Sequence, residues 1–225
     1  MDPTSLTTIY LVIIELLLAA TVVQMFRLSG SSTRMTIAIG ATLLIWIVAL
    51  VVGIPAGWFL PASVSGLGMY AIILGGAGGL AGGIIAIPAI RSHLLAMPPE
   101  LLLFPQGLRV FLGAGFLIEA ALGVLPTTFG ITDGLTHVTA GFLAMSAALG
   151  LTLWNRKYQR GVWIATLFGI ADILAVATSI AFFLIDEITT HHNMMIAVFF
   201  VAPVLLALHA ASLWQLLAGG VKSKS

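Results

Sequence analysis

The sequence predicts an all-α integral membrane protein, a bundle of seven transmembrane helices with the N-terminus outside and the C-terminus inside. Composition is the first observation behind this prediction. Of 225 residues, 60% are hydrophobic and only 8% are charged, whereas a soluble globular chain has about 25% charged residues. A surface that faces water cannot be built from this composition, so we expect most of the surface to contact a lipid bilayer.

Seven long apolar runs are the second observation. A membrane-spanning helix needs about 20 mostly apolar residues, and each run approaches this length. The predicted spans are residues 9–26, 35–57, 69–90, 107–125, 135–154, 161–185 and 194–217. Since only short loops separate them, we interpret residues 1–225 as a single transmembrane domain. No basic residue precedes the first run, so it is interpreted as a retained span and not as a cleavable signal peptide.

Basic, aromatic and proline residues mark the ends of the first three spans. Arg27 ends the first, Trp58 and Pro61 follow the second, and Arg91 ends the third. Tryptophan is typical of the boundary between lipid and water. Residues 92–106 include adjacent prolines and a short apolar run, so we expect them to lie along the cytoplasmic interface.

The remaining loops alternate in charge. Pro126 closes the fourth span, and residues 127–134 form an outer loop before the fifth. Residues 155–160 are the most basic loop of the chain, between the fifth and sixth spans. Residues 186–193, between the sixth and seventh, are acidic and contain two histidines. This alternation is expected when successive loops lie on opposite sides of a membrane.

The positions of the lysines and arginines are the third observation. All nine fall at alternate ends of the predicted spans, and they are Arg27, Arg34, Arg91, Arg109, Arg156, Lys157, Arg160, Lys222 and Lys224. Basic residues close to span ends favour the cytoplasmic side. We therefore predict this orientation in a bacterial inner (plasma) membrane. A net charge of +1 is too small to suggest nucleic-acid binding.

A glycine-rich run occupies the third predicted span. Gly75, Gly79 and Gly83 make two overlapping GxxxG steps, a spacing that lets two helix backbones approach closely in lipid. Two interpretations stay open. The glycines pack against another helix of the same chain, or they form a face for a homo-oligomer or a partner subunit.

Three carboxylates lie inside predicted spans: Glu15, Glu119 and Asp172. Each costs about 2.5–3.5 kcal/mol at the centre of a helix on insertion scales, so such a residue is a candidate for function. With His209 in the last span, they could bind protons or cations across the bilayer. The alternative is that each is protonated or hydrogen-bonded and only ties helices together. We expect no buried lysine or arginine to neutralise them, since Arg109 can snorkel from its span end.

The histidines suggest a second hypothesis. Asp133 and His137 are four residues apart, and His191 and His192 belong to an outer loop of the same predicted side. Imidazole and carboxylate groups suit zinc or copper, and two histidines from different helices can hold a haem iron. The chain has no cysteine, which excludes thiolate ligands. The sequence requires no cofactor, but it is compatible with a metal ion or haem.

Several short motifs resemble a family of uncharacterised bacterial polytopic membrane proteins. The similar segments include residues 105–109, 123–126, 169–172 and 208–213, and the resemblance covers roughly residues 105–216. It implies a family and no activity. It draws attention to a polar framework of Gln106, Arg109, Asn155, Asp172 and His209. The family pattern has Gly-Asp where this chain has Thr136-His137, which argues against an obligatory histidine ligand there.

Three functions remain open at this point. The leading hypothesis is a proton-linked transporter or permease-like protein, with Asp172 and Glu119 as protonatable groups supported by Glu15 and His209. The second is a membrane redox or metal-binding subunit that uses the outer histidines. The third is an accessory subunit without chemistry, assembled through its glycine face. The chain has no GxSxG hydrolase motif, which favours a protein that is not an enzyme.

Overall fold

The computed structural model describes residues 3–154 and 159–218, and this part of the chain is helical without strands. The helices in chain order are α1 (Pro3–Leu28), α2 (Thr33–Gly53), α3 (Gly66–Ala86), α4 (Pro88–Ala96), α5 (Pro99–Leu103), α6 (Arg109–Ala121), α7 (Thr127–Trp154), α8 (Gln159–Ser179) and α9 (Met194–Leu217). A 3₁₀ turn, Phe104–Leu108, joins α5 to α6, and a π-helical turn, Ile180–Leu184, extends α8.

Seven of these helical segments are long and apolar enough to cross a membrane: Pro3–Leu28, Thr33–Gly53, Gly66–Ala86, Pro99–Ala121, Thr127–Leu153, Gln159–Leu184 and Met194–Leu217. The prediction of an all-α protein with seven apolar helices is therefore confirmed. The orientation in the membrane stays a prediction.

Local sequence explains where several helices start. Ser32 precedes α2 and accepts a hydrogen bond from the Met35 amide, and Ser65 does the same for Gly68 at the start of α3. Such serine caps satisfy amides that have no partner inside the helix. Helices α4 and α5 start instead with Pro88 and Pro99, because the first turn of a helix does not need the missing N–H of proline.

The fourth segment corrects the sequence analysis. The chain is continuously helical from Pro99 to Ala121, since Pro105 falls in the 3₁₀ turn and does not end the segment. Arg109 therefore lies near the middle of the segment and not at its end. Its side chain is 1% exposed, so it does not snorkel to an interface. The expectation that no buried basic residue neutralises the acids is wrong, and Arg109 leaves the set that supported the predicted orientation.

Helix α9 is the centre of the bundle. In its most apolar window 83% of residues are buried, against 11% in α2. It contacts six other helices, namely α1, α2, α3, α4, α5 and α8. A helix that is apolar on every face suits such a central position. Consequently the polar side chains that α9 carries, including His209, are enclosed by protein and not by lipid.

Helices α6 and α7 pack closely because glycines line the seam between them. A Cβ atom at Gly141 would lie 2.7 Å from the backbone nitrogen of Val110, and one at Gly134 would lie 2.9 Å from the Gly113 carbonyl. The GxxxG glycines of α3 behave differently. Gly75, Gly79 and Gly83 have no atom of the described chain within 4 Å of a built Cβ. Gly75, Gly79 and Gly83 therefore form an open face of α3, whereas Gly76 of the same helix packs against Phe199.

Substitutions at the two kinds of glycine should have opposite outcomes. Gly141→Leu should destabilise the protein by about 1–3 kcal/mol or more, because the added side chain meets the backbone of α6. The measurement is the thermal unfolding midpoint of the purified protein in detergent. Gly79→Leu is the matched control and should unfold at the wild-type temperature. Equal midpoints for both variants would contradict the close packing of α6 on α7.

Candidate functional site

A buried ion pair joins α6 to α8. The guanidinium of Arg109 donates a hydrogen bond through Nη2 to Oδ2 of Asp172, and both side chains are 1% exposed. Its Nη1 atom donates to the carbonyl oxygen of Gly169, 3.0 Å away. Arg109 thus supplies the positive charge that the carboxylate of Asp172 needs in a water-poor interior.

Two histidines complete this centre. The Nδ1 atom of His137 in α7 is hydrogen-bonded to the same Oδ2 atom of Asp172. A carboxylate only accepts, so Nδ1 of His137 carries a proton. The Nε2 atom of His209 in α9 lies 3.4 Å from Nη1 of Arg109. Since arginine only donates, His209 accepts with Nε2. Four helices therefore meet at one charged site.

Small and aromatic residues give the two imidazoles their positions. Gly169 is one turn before Asp172 on α8, and a Cβ atom there would collide with the ring of His209. Only glycine lets the imidazole approach Arg109 at this point. The ring of His137 lies against Phe116, with 5.3 Å between the ring centroids. The pairing of Arg109 with Asp172 thus depends on the packing of its neighbours.

Asp133 adds a second carboxyl to the centre. It is 2% exposed, it hydrogen-bonds the side chain of Ser179, and it is close enough to Asp172 for electrostatic interaction. It precedes His137 by four residues on α7, a spacing that places two side chains on one face of a helix. With two carboxyl groups and one arginine, the net charge of the centre depends on how many protons Asp133 and His137 bind.

Several polar atoms of the centre have no hydrogen-bond partner within residues 3–154 and 159–218. They are Oδ1 of Asp172, Nε of Arg109, Nδ1 of His209 and Oδ2 of Asp133. A cavity of about 40 Å³ reaches Arg109 and His137 and is otherwise lined by apolar side chains of α3, α6, α8, α9 and the π-helical turn. One water needs about 10–15 Å³ of such space, so this cavity has room for two or three waters. It is too small for an organic solute.

A second polar cluster lies where the N-terminal turns of α1 meet the end of α6 and the start of α9. The amide nitrogen of Asn193 lies 3.0 Å from Oε1 of Glu119, 3.0 Å from the Thr7 hydroxyl and 3.2 Å from the Thr8 hydroxyl. Glu119 is fully buried. Glu15 is buried as well, and neither of its carboxylate oxygens has a partner among the described residues. Glu15, Glu119 and Asp172 therefore occupy separate environments.

The proposed metal ligands do not assemble. Asp133 and His137 belong to the ion-pair centre, while Nε2 of His191 lies 3.4 Å from the Leu60 carbonyl. Nδ1 of His192 accepts a hydrogen bond from the Met194 amide, 3.2 Å away. Within the described ranges no three His, Cys, Asp or Glu side chains are arranged to hold a metal ion. His191 and His192 instead stabilise the loop of residues 186–193 and the start of α9.

The polar framework is only partly accounted for. The side-chain amide of Gln106 donates to the Leu205 carbonyl, 3.1 Å away, and so ties the 3₁₀ turn to α9. Asn155 lies outside the described residues. No sequence pattern indicated Asn193, Thr7 or Thr8 as part of a site. Threonines near a helix start and an asparagine before a helix are ordinary loop and capping residues. Their convergence becomes evident only once α1, α6 and α9 are packed together.

Seven helices long and apolar enough to cross a membrane indicate an integral membrane protein, with a charged centre enclosed among four of its helices. Residues 67–217 match the family model described as Domain of unknown function (DUF8737), so the chain belongs to that family. No curated protein and no solved structure matches the chain. The match includes the segments of the predicted resemblance and every residue of the ion-pair centre.

Removing one partner of the ion pair should destabilise the protein more than removing both. Arg109→Leu leaves Asp172 buried without its counter-charge, which should cost about 3–5 kcal/mol. The double variant Arg109→Leu, Asp172→Leu should recover most of this loss, because neither charge remains buried. Thermal midpoints of the two variants and of wild type in detergent measure the difference. A double variant less stable than the single one would contradict this account of the centre.

Acid should destabilise the loop of residues 186–193 through His192. Burial lowers the pKa of His192, and a hydrogen bond to the Val124 backbone only partly opposes this. The unfolded chain then binds the proton more strongly, so the contribution is complete above the ordinary pKa of about 6.5 and is lost as pH falls below it. His192→Asn should therefore reduce the drop in thermal midpoint between pH 7.5 and 5.5. His93→Asn, in α4, is the control and should show the wild-type drop.

Proposed function

We propose that this protein is a proton-linked membrane transporter or permease-like protein, located in a bacterial inner membrane, and that the Asp172 centre is where it binds the proton. The observation that carries the proposal is the meeting of Asp172, Arg109, His137 and His209 inside the bundle. Charged groups within a membrane are costly, and they commonly mark proton relays and ion pathways. Four helices that converge on titratable groups fit this role better than a purely structural one.

The charge balance of the centre favours a single exchangeable proton. Arg109 is always protonated and matches one carboxylate. If Asp133 is ionised as well, a second positive charge is needed, and His137 can supply it by protonation at Nε2. If Asp133 is protonated, His137 stays neutral. The two states have the same net charge, so a proton can move between Asp133 and His137 without leaving an unbalanced charge in the protein.

The adjoining cavity supports proton movement more than passage of a solute. Its volume of about 40 Å³ admits a few waters, and it reaches both Arg109 and His137. Waters in hydrogen-bond contact with an imidazole can relay a proton. Movement of any larger substrate requires a path elsewhere in the bundle or a second conformation of it. Asp172 then acts by holding Arg109 and His137 in place, and it accepts the hydrogen bond that Nδ1 of His137 donates.

A liposome assay tests this function. Purified protein is reconstituted with a pH-sensitive dye inside, and a potassium gradient with valinomycin drives proton entry. Wild type should acidify the lumen faster than empty liposomes do. Asp172→Asn should reduce the rate at least tenfold. Because loss of the carboxylate leaves Arg109 unpaired, His137→Gln is the second variant: it keeps the ion pair intact and should also lose the flux.

Glu187→Gln removes a carboxylate from an exposed loop position and serves as the control with wild-type flux. Each variant is first shown to have a wild-type elution profile in detergent and equal incorporation into liposomes. Wild-type liposomes that acidify no faster than empty ones would refute the proposal. So would unchanged flux in His137→Gln and Asp172→Asn.

A further inference from the structure

We propose that Glu119, Asn193, Thr7 and Thr8 form a binding site for a small monovalent cation, of which Na⁺ is the test case. This site goes beyond the proton function and shares no residue with the Asp172 centre. Four oxygen-bearing side chains from α1, α6 and the residue before α9 converge in it. Carboxylate, amide and hydroxyl oxygens are the ligands that hard cations prefer.

The amide of Asn193 cannot donate to every oxygen around it. Its nitrogen has two hydrogens, but three oxygens lie within 3.2 Å of it: Glu119 Oε1 and the hydroxyls of Thr7 and Thr8. The Thr8 hydroxyl donates to the Thr4 carbonyl, 2.7 Å away, and the Thr7 hydroxyl is within reach of the same carbonyl and of Glu119. Both hydroxyls therefore keep lone pairs that can face a further partner in the cluster.

Two further oxygens in the same cluster have no partner. Oε2 of Glu119 and Oδ1 of Asn193 accept no hydrogen bond from any described residue. Glu119 is fully buried and Asn193 is 6% exposed, so bulk water does not satisfy these atoms. Leaving a buried acceptor unpaired costs about 1–3 kcal/mol, and more when it is charged. A cation bound to the Glu119 carboxylate would supply the positive partner that this group lacks.

Rotation of the Asn193 amide by half a turn creates the ligand set. Oδ1 then takes the present position of Nδ2, 3.0–3.2 Å from the oxygens of Glu119, Thr7 and Thr8. These three separations from Oδ1 are close to the spacing of neighbouring ligands around a cation with metal–oxygen distances of about 2.3–2.6 Å. Small movements of these side chains would open the space for the ion itself.

The charge of the site selects a monovalent ion. Glu119 is its only carboxylate, and no lysine or arginine contacts it in the described part of the chain. His192 directly precedes Asn193, and its Nδ1 atom accepts a hydrogen bond from the Met194 amide. One negative charge is balanced by one positive ion. A divalent ion would leave an excess charge in a buried position, which is unfavourable.

The site has a route to water. It lies at the end of the bundle where α1 starts, in the first turns of that helix, and Thr8 is half-buried, not enclosed. An ion can therefore reach Glu119 past Thr8 without crossing the bundle. By contrast, the Asp172 centre lies deeper, among α6, α7, α8 and α9. The two sites can bind a cation and a proton independently.

Thermal unfolding in salt tests the site. The purified protein in detergent is heated in NaCl from 0 to 100 mM, with choline chloride added to keep ionic strength constant. A ligand that binds only the folded state raises the midpoint with its concentration. We expect wild type to show this rise with NaCl and not with choline chloride alone. Parallel series in LiCl and KCl measure the selectivity among monovalent ions.

Glu119→Gln, of the same shape without the charge, should abolish the rise. Glu15→Gln is the matched control, because it also removes a buried carboxylate, and it should retain the wild-type response. Isothermal titration of wild type with NaCl measures binding directly, so the test stands even if Glu119→Gln fails to fold. A wild-type midpoint indifferent to Na⁺, with no heat of binding, would mean that Glu119 carries a proton instead and would overturn the proposal. So would an undiminished response in folded Glu119→Gln.

Discussion

A charge inside a membrane protein must be matched within the protein, and the pairing of Arg109 with Asp172 meets this requirement for the centre of the bundle. Neither partner is tolerable alone in a water-poor interior, so the pair fixes α6 and α8 at one register. That register brings His137 of α7 and His209 of α9 to the same point. The glycines beside the pair follow from it as well, because Gly169 leaves room for the imidazole of His209.

The three carboxylates within the helices have three different environments. Asp172 has a formal counter-ion, and Glu119 has the amide of Asn193 with two hydroxyls nearby. Glu15 has no hydrogen-bond partner among residues the structure describes. A buried carboxylate without a counter-ion must take up a proton or a cation. The environments of these groups therefore assign them different chemistry, although the sequence presents them as a single class.

The apolar helices could be predicted from the sequence, because length and hydropathy decide whether a helix can cross lipid. The interior acids also stood out, since few charged residues interrupt the apolar runs. The pairing of Arg109 could not be predicted. Its position near a span end followed from the expectation that residues 92–106 lie along the interface, but the chain continues as a helix through Pro105, which falls in a 3₁₀ turn. The cluster around Asn193 was also hidden, because it joins residues of α1 to residues more than 100 positions away, and no local pattern contains that contact.

The close seam between α6 and α7 has a consequence for the way in which the chain enters a bilayer. Alone, the segment from Pro99 to Ala121 exposes both Arg109 and Glu119, and each costs about 2.5–3.5 kcal/mol at the centre of a helix on insertion scales. A loop of five residues, 122–126, connects α6 to α7. Glycines on the facing surfaces let the two helices pair as soon as both are made. Insertion as a helical hairpin therefore lowers the barrier that the fourth segment alone would face.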